Sequence, residues 1–472
     1  MNRPPRLGIL AFVASLLCLT SPGAAQCATD VVASLPPPYP PTCLTLLRDG
    51  RLAAGIGGFD ATTPRVAIWN GAAWTPLPAG IDGYLWLIVE LPGGDLVVFG
   101  NFTVPAPRCL RWNGSAWLAM GSGLPGTVED ANLDANGDLW ALVTGVGIRR
   151  WNGSTWVAEP SPGGLTPQRM ARDDTGVLYV TTFPQSVGPG IQLPGRVFQQ
   201  QGSTWVDRGQ LASSFGSAGF ASAICALPGG GIAVAGNFTA VAGLPAQGYA
   251  RWDGTSWSTA GGGPPWQTNV LRALPNGDVL AAGNYAGLLR SDGSSWTPFA
   301  ASLATICYDI EVAANGDLYV LGGTSPADGV TRLASTCAAT STAIGTPCVP
   351  ASGALQFSPV VLPWQGAVSR SRCTGMTATA IGLGVFGLQP TQVPLALIHP
   401  SGLPGCDLLA APDALALLVP TAGAVEMTLP IPTAAALVGV AFWQQVLQVE
   451  LGLQQITAIA GSNALRLQIG RY

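Results

Sequence analysis

One short stretch recurs along this chain and limits what it can fold into. It reads Arg111-Trp112-Asn113-Gly114-Ser115-Ala116-Trp117. It returns as Trp69-Asn70-Gly71-Ala72-Ala73-Trp74, Trp151-Asn152-Gly153-Ser154-Thr155-Trp156 and Trp252-Asp253-Gly254-Thr255-Ser256-Trp257. Two further copies lack the first Trp: Gln200-Gln201-Gly202-Ser203-Thr204-Trp205 and Ser291-Asp292-Gly293-Ser294-Ser295-Trp296. Asn-Gly or Asp-Gly between short apolar runs is a strong hairpin signal, and a type I′ turn with positive φ at both central residues is the expected geometry. The two Trps then face each other on paired strands, where aromatic pairs stabilise a sheet. Recurrence at roughly 40–50 residues indicates propeller blades.

A second turn alternates with the first. It reads Arg48-Asp49-Gly50-Arg51-Leu52, Pro92-Gly93-Gly94-Asp95-Leu96, Ala135-Asn136-Gly137-Asp138-Leu139 and Asp174-Thr175-Gly176-Val177-Leu178. It continues as Pro228-Gly229-Gly230-Gly231-Ile232, Pro275-Asn276-Gly277-Asp278-Val279 and Ala314-Asn315-Gly316-Asp317-Leu318. One unit is therefore strand, glycine turn, strand, variable loop, strand, Trp hairpin, strand, and four antiparallel strands make one propeller blade. A blade cannot bury both faces alone, so the units stack, and a closed ring leaves no long edge. The second turn occurs once more often than the Trp hairpin. The last unit runs Val330-Thr331-Arg332-Leu333 and stops near Cys337 without its fourth strand. Val31 to Leu35, just before the first unit, is the expected closing strand.

The expected fold is all-β: a seven-bladed β-propeller of four-stranded blades over residues 26–336, then a β-sandwich-like domain over 337–472. The second part lacks the Trp hairpin and alternates short apolar runs with Pro and Gly: Ala378 to Phe386, Leu395 to Ile398, Ala414 to Val419, Val425 to Ile431, Leu437 to Phe442 and Leu465 to Ile469. Such spacing suits short strands. The run Ala434 to Leu453 is also compatible with an amphipathic helix.

Strand ends such as Gly100-Asn101-Phe102, Gly236-Asn237-Phe238 and Gly322-Gly323, each followed by an aromatic or Trp-bearing strand, resemble a kelch-type propeller over about residues 44–335. The paired Trp-Asn-Gly-Ser and Pro-Asn-Gly-Asp-Leu motifs resemble repeat propellers of secreted environmental bacterial proteins still more. Gly405-Cys406-Asp407-Leu408-Leu409, Leu429-Pro430-Ile431-Pro432 and Gly461-Ser462-Asn463-Ala464-Leu465 resemble a small C-terminal domain appended to such proteins. The resemblance implies a fold and carries no activity with it.

Residues 1–25 have the features of a secretory signal: Arg3 and Arg6, an apolar core from Leu7 to Leu19, and the small residues Gly23-Ala24-Ala25. The apolar run is too short for a membrane anchor, and Leu17 and Gln26 are poor residues to precede a lipidated Cys. The expected address is secreted or cell surface, with no transmembrane span in the mature chain. Export makes disulfides expected. Cys348 with Cys406 is the expected C-terminal pair, and Cys27 with Cys337 and Cys43 with Cys307 are expected to meet at the ring seam.

The chemistry excluded is as informative. All 21 basic residues are Arg, and the net charge of −4 offers no basic face for nucleic acid. The single His, His399, lies outside the propeller and is expected in a turn. That shortage excludes the imidazole sites of copper oxidases on kelch propellers, and Ser/His/Asp catalysis. Ser291-Asp292-Gly293-Ser294-Ser295-Trp296 departs in spacing from a sialidase-type hairpin box. Asp134 to Asp138 has a calcium-loop look but lacks a terminal Glu and is expected to be a turn. No cofactor or metal site is expected.

What remains is a channel. Equivalent positions of successive blades face the same part of a ring, and counting back seven from the turn Gly gives Asp130, Arg169 and Asp309. Glu90, Glu129 and Glu311 lie nearby. These are the candidate binding residues of a non-catalytic surface module, whose expected partner is a glycan or another surface protein. The alternative expectation is a carbohydrate hydrolase or lyase using the same acids.

Overall fold

The computed structural model describes residues 29–472 apart from 36–40, 135, 190, 215–217, 260–261, 266, 301–302, 304–305, 323–328, 351–352, 378 and 453–454. The signal-like residues and Cys27 lie outside it. The chain divides into two units, one spanning 29–313 and 317–334, the other including 335–472.

The first unit is a β-propeller. Among the described residues its sheets follow the repeat: Pro41–Leu46, Leu52–Ile56, Val66–Trp69 and Trp74–Pro76 pair in that order, all antiparallel. The same order recurs in the sheets that start at Tyr84–Glu90, Val128–Leu133, Pro167–Arg172, Phe220–Ala226 and Thr268–Ala273. The sheet starting at Cys307–Val312 takes Leu318–Gly322, Val330–Ser335 and then Thr29–Leu35 as its fourth strand. The start of the chain thus completes the last sheet, as the missing Trp hairpin predicts.

The turns depart from the expected geometry. Trp69, Trp112, Trp151 and Trp252 do face Trp74, Trp117, Trp156 and Trp257 across paired strands, with ring centroids 5.2–5.6 Å apart. The connection is four residues long rather than two, and only its Gly has positive φ, as Gly114 does at 92°. The Asn side chain replaces the second strained residue: Asn113 Oδ1 accepts the N–H groups of Ser115 and Ala116, an Asx-type closure. The other turn has Gly50 N–H donating to Leu47 O and Leu47 N–H to Arg51 O, with Gly50 at φ 85°. That is a type I turn with a glycine bulge, so Gly is required at one position only.

Packing follows from strands whose both faces are covered. Leu52–Ile56 is buried at every residue. Adjacent sheets share apolar layers, such as Ile68, Leu85, Val98 and Leu110, and Leu44 and Leu52 with Leu321 and Val330 join the last sheet to the first. The outer Trps clasp the preceding sheet. Indole N–H groups of Trp117, Trp205 and Trp257 donate to the carbonyls of Pro78, Pro160 and Arg208 at 2.6–2.9 Å.

The second unit is also β. One sheet orders Thr340–Ile344, Ala464–Gln468, Ala441–Leu451, Ile381–Gly387 and Ala414–Leu418, and another Gln356–Val361, Val368–Thr374 and Ala424–Pro430. Phe357, Met427 and Leu429 share a core with Phe386, Phe442 and Val446. One local expectation is corrected and one open alternative is decided. Leu395–Ile398 is a short α-helix, closed by His399 N–H donating to Leu395 O. Residues 441–451 form an 11-residue strand rather than a helix, because its alternate residues meet two covered faces. Cys348 and Cys406 are disulfide-bonded. Cys337 is disulfide-bonded too, whereas Cys43 and Cys307 are buried thiols.

Candidate functional site

The first strand of every propeller sheet carries one extra residue at the same place. Pairing with the next strand slips between Pro41 and Cys43, Leu85 and Leu87, Val128 and Asp130, and Pro167 and Arg169. It slips again between Ala221 and Ala223, Thr268 and Val270, and Cys307 and Asp309. A bulge bends the strand and re-aims its side chains. The extra residues are Thr42, Trp86, Glu129, Gln168, Ser222, Asn269 and Tyr308. The residue after each is the position that counting back from the turn Gly selects.

These first strands together line a cavity of about 470 Å³, within the size range of small-molecule sites. Asp130, Arg169 and Asp309 all line it, so the structure brings the three residues to one cavity. Glu129 and Arg272 join them, as do the aromatic side chains of Trp86 and Tyr308. Glu90 does not; it accepts the N–H of Arg48 at 2.7 Å on the exposed side.

The polar groups of this cavity also tie the ring. Thr42 Oγ1 donates to Leu85 O, and Trp86 Nε1 to Val128 O. Asp130 Oδ2 accepts Met170 N–H at 2.9 Å from the next sheet, and its Oδ1 accepts Ala131 N–H. Arg169 donates through Nε to Ser222 O and through Nη1 to Glu129 O and Gln168 O. Ser222 Oγ donates to Thr268 O. Arg272 Nη2 donates to Asp309 Oδ1 at 3.1 Å and Glu311 Oε1 at 3.4 Å. Leu44 N–H then donates to Asp309 Oδ2 at 3.1 Å, joining last sheet to first.

Titration follows from this enclosure. Burial raises the Asp130 carboxyl above its usual range, against the pull of two backbone N–H donors and Arg169. Burial likewise pushes Glu311 up to about 7, opposed by Arg272 and reinforced by Asp309. The carboxylates around Arg272 hold its guanidinium above its ordinary value despite burial. Arg272 keeps 35% exposure through the cavity itself, although sheets enclose it laterally. Cys43 is pushed up to about 12 by burial and the nearby Asp309, so it is no thiolate nucleophile at neutral pH.

Other residues singled out by sequence take structural places. Asp134 Oδ1 accepts the N–H groups of Asn136 and Asp138, closing its turn. His399 Nδ1 accepts Ser401 N–H at 3.1 Å, in a turn. Among the described residues no group of three or more His, Cys, Asp or Glu is placed to hold a metal, and no helix is long and apolar enough to cross a membrane.

No protein-family model and no curated protein matches the chain. Solved structures do. A catalytically inactive virginiamycin B lyase from Staphylococcus aureus with quinupristin matches at 10% identity and TM-score 0.49, over 65% of this chain and 99% of its own. YCF48 bound to D1 peptide matches at 16% identity and TM-score 0.45, over 67% and 98%. The WD40 β-propeller domain of Doa1 matches at 13% and 0.44, over 65% and 97%. Those structures are propellers of different activities, and the sheet order of this chain is what carries its own assignment.

Sequence reasoning did not single out Arg272, Trp86 or Tyr308. A signal for Arg272 was present: Arg272 and Glu311 occupy the same position in adjacent repeats, with opposite charge. Trp86 and Tyr308 depend on the bulge, which no alternation pattern announces.

Proposed function

We propose that the protein is an exported, non-catalytic propeller of seven kelch-like blades, followed by a β-sandwich-like domain, and that it serves as an extracellular or cell-surface binding or scaffold module. The domain limits are 1–25 for the signal peptide, 26–336 for the propeller and 337–472 for the C-terminal domain. Asp130, Arg169 and Asp309 form part of the wall against which a glycan or another surface protein is held.

The observation that carries this reading is the commitment of Asp130 and Asp309 to the fold. General acid–base catalysis needs a carboxyl within reach of the substrate with a proton to move, and glycoside cleavage needs two flanking the scissile bond. Both oxygens of Asp130 accept backbone N–H groups. Both oxygens of Asp309 are likewise engaged, one by Leu44 N–H and the other by Ile310 N–H and Arg272. Such acids support a rigid wall better than a reacting pair.

One observation favours the hydrolase or lyase reading: Glu311, pushed up to about 7, lies close enough to Asp309 to share Arg272. The test replaces Asp130 and Asp309 together by Asn, and Glu311 by Gln, and follows sugar release from polysaccharides. The expected result is no release by parent or variants. A measurable release that either change abolishes would make the protein an enzyme.

A further inference from the structure

We propose that the ligand of the channel mouth is a neutral saccharide chain, and that Phe59 and Tyr84 form an aromatic platform for the sugar units lying outside the cavity. The inference rests on the binding reading above and names its ligand class.

Phe59 is 70% exposed and Tyr84 38%. Their rings pack edge to face, with centroids 4.5 Å apart and planes at 73°. Two large aromatics presented together to solvent are the informative departure from a polar surface. Loop laxity does not explain them. The Phe59 loop is gripped by Arg65, itself 2% exposed, which donates to Gly57 O at 2.7 Å, pairs with Asp60 Oδ2 at 2.9 Å and also bonds Asp60 O. Asp60 Oδ1 in turn accepts the N–H groups of Thr62 and Thr63. A buried guanidinium therefore holds Phe59 out in a fixed place, as a preorganised contact requires.

The platform adjoins the cavity. A Cβ on Gly57 would stand 2.5 Å from Tyr84 Cε1 and 3.1 Å from Thr42 Cγ2, and Thr42 lines the cavity. On the other side of the Pro41–Leu46 strand, Tyr308, 54% exposed, also lines it. The Phe59–Tyr84 pair thus lies beside Thr42 of the cavity wall, and Tyr308 is a further aromatic on that wall.

The charge arrangement selects the ligand. Arg169 and Arg272 are held by carbonyls and carboxylates, and Asp130 and Asp309 by N–H groups and Arg272. A basic peptide would need uncommitted carboxylates, and an acidic ligand an uncommitted guanidinium. The remaining cavity acid, Glu129, accepts the Thr144 hydroxyl through Oε1 and faces Arg169 Nη1 at 3.9 Å through Oε2; the uncharged surface left is ring faces, the exposed Asn269 amide and the Tyr308 hydroxyl. A sugar ring offers a C–H face to an aromatic ring and hydroxyls to polar groups, and is uncharged.

The experiment titrates the mature protein with cellohexaose, mannohexaose and xylohexaose, with the corresponding disaccharides, and with hexalysine and hexaglutamate. At least one hexasaccharide should bind. Phe59→Ala, and separately Tyr84→Ala, should weaken that hexasaccharide about fivefold or more, while disaccharide affinity stays within about twofold and the Phe59→Ala melting curve matches the parent. Unchanged hexasaccharide affinity in a parent-like Phe59→Ala protein overturns the platform and leaves the binding reading standing. Binding of a charged peptide but of no sugar overturns the saccharide class alone. Appearance of shortened sugars overturns the non-catalytic reading itself.

Discussion

Glu311 has a pH signature. Burial raises its carboxyl to about 7 in the folded chain, from an ordinary value near 4.5. A carboxyl raised on folding favours the folded state most below the ordinary value, and that contribution is lost as pH rises through about 7. Arg272 and Asp309 are the charged groups facing it. Replacing Glu311 by Gln removes the titration. We expect the melting temperature of Glu311→Gln to gain on the parent from pH 4.5 to about 7 and then to level off; parallel curves from pH 4.5 to 7 would contradict it. Asn113→Ala removes the oxygen that closes its hairpin through two N–H donors, and should destabilise the propeller by about 1 kcal/mol in urea unfolding. At this scale Asp130, Arg169 and Asp309 were legible because the interval from turn Gly to channel wall is constant. Arg272 is not, because it lies two residues beyond Val270, the position that this interval selects in its repeat.

Two elements bear on whether the ring is closed as described. Thr29–Leu35 supplies the fourth strand of the last sheet. Deleting residues 30–35 should lower the melting temperature of the propeller markedly, because it strips the Val330–Ser335 strand of one partner and opens the ring; a variant melting like the parent would refute the closure. Trp257 donates its indole N–H to Arg208 O at 2.6 Å, clasping the preceding sheet. Trp257→Phe keeps an aromatic ring and loses that bond, and should cost about 1 kcal/mol by denaturant unfolding. The order of strands within each unit was readable, since hairpin turns separate them at fixed places. The turn geometry was not: an Asn side chain supplies what a second residue of positive φ would have supplied, and Asn-Gly reads the same in both. The bulge was hidden for a similar reason. One inserted residue exchanges the two faces of a strand, and small or mixed side chains such as Ser222 and Ala223 leave no pattern to betray it.

At the scale of the molecule, the residues from 335 onward form a unit with its own core and a disulfide. Residues 337–472 should fold alone and melt cooperatively, and Cys348→Ala with Cys406→Ala should lower that stability by about 2–4 kcal/mol. A fragment without cooperative melting would remove its autonomy. The end of the Trp hairpins before residue 335 is readable in the sequence; the long strand at Ala441–Leu451 is not, since Val, Gln and Trp alternate there in a way that suits helix and strand alike. Bulges bring seven strands to one cavity, and Asp130, Arg169, Arg272 and Asp309 tie the ring there; the proposed ligand lies on the uncharged and aromatic surface beside them. A glycan array probed with the mature protein, with the supernatant analysed for released sugars, tests this most directly. Retention on specific glycans with no product is the predicted result; release of product, or retention only on charged non-sugar controls, would contradict it.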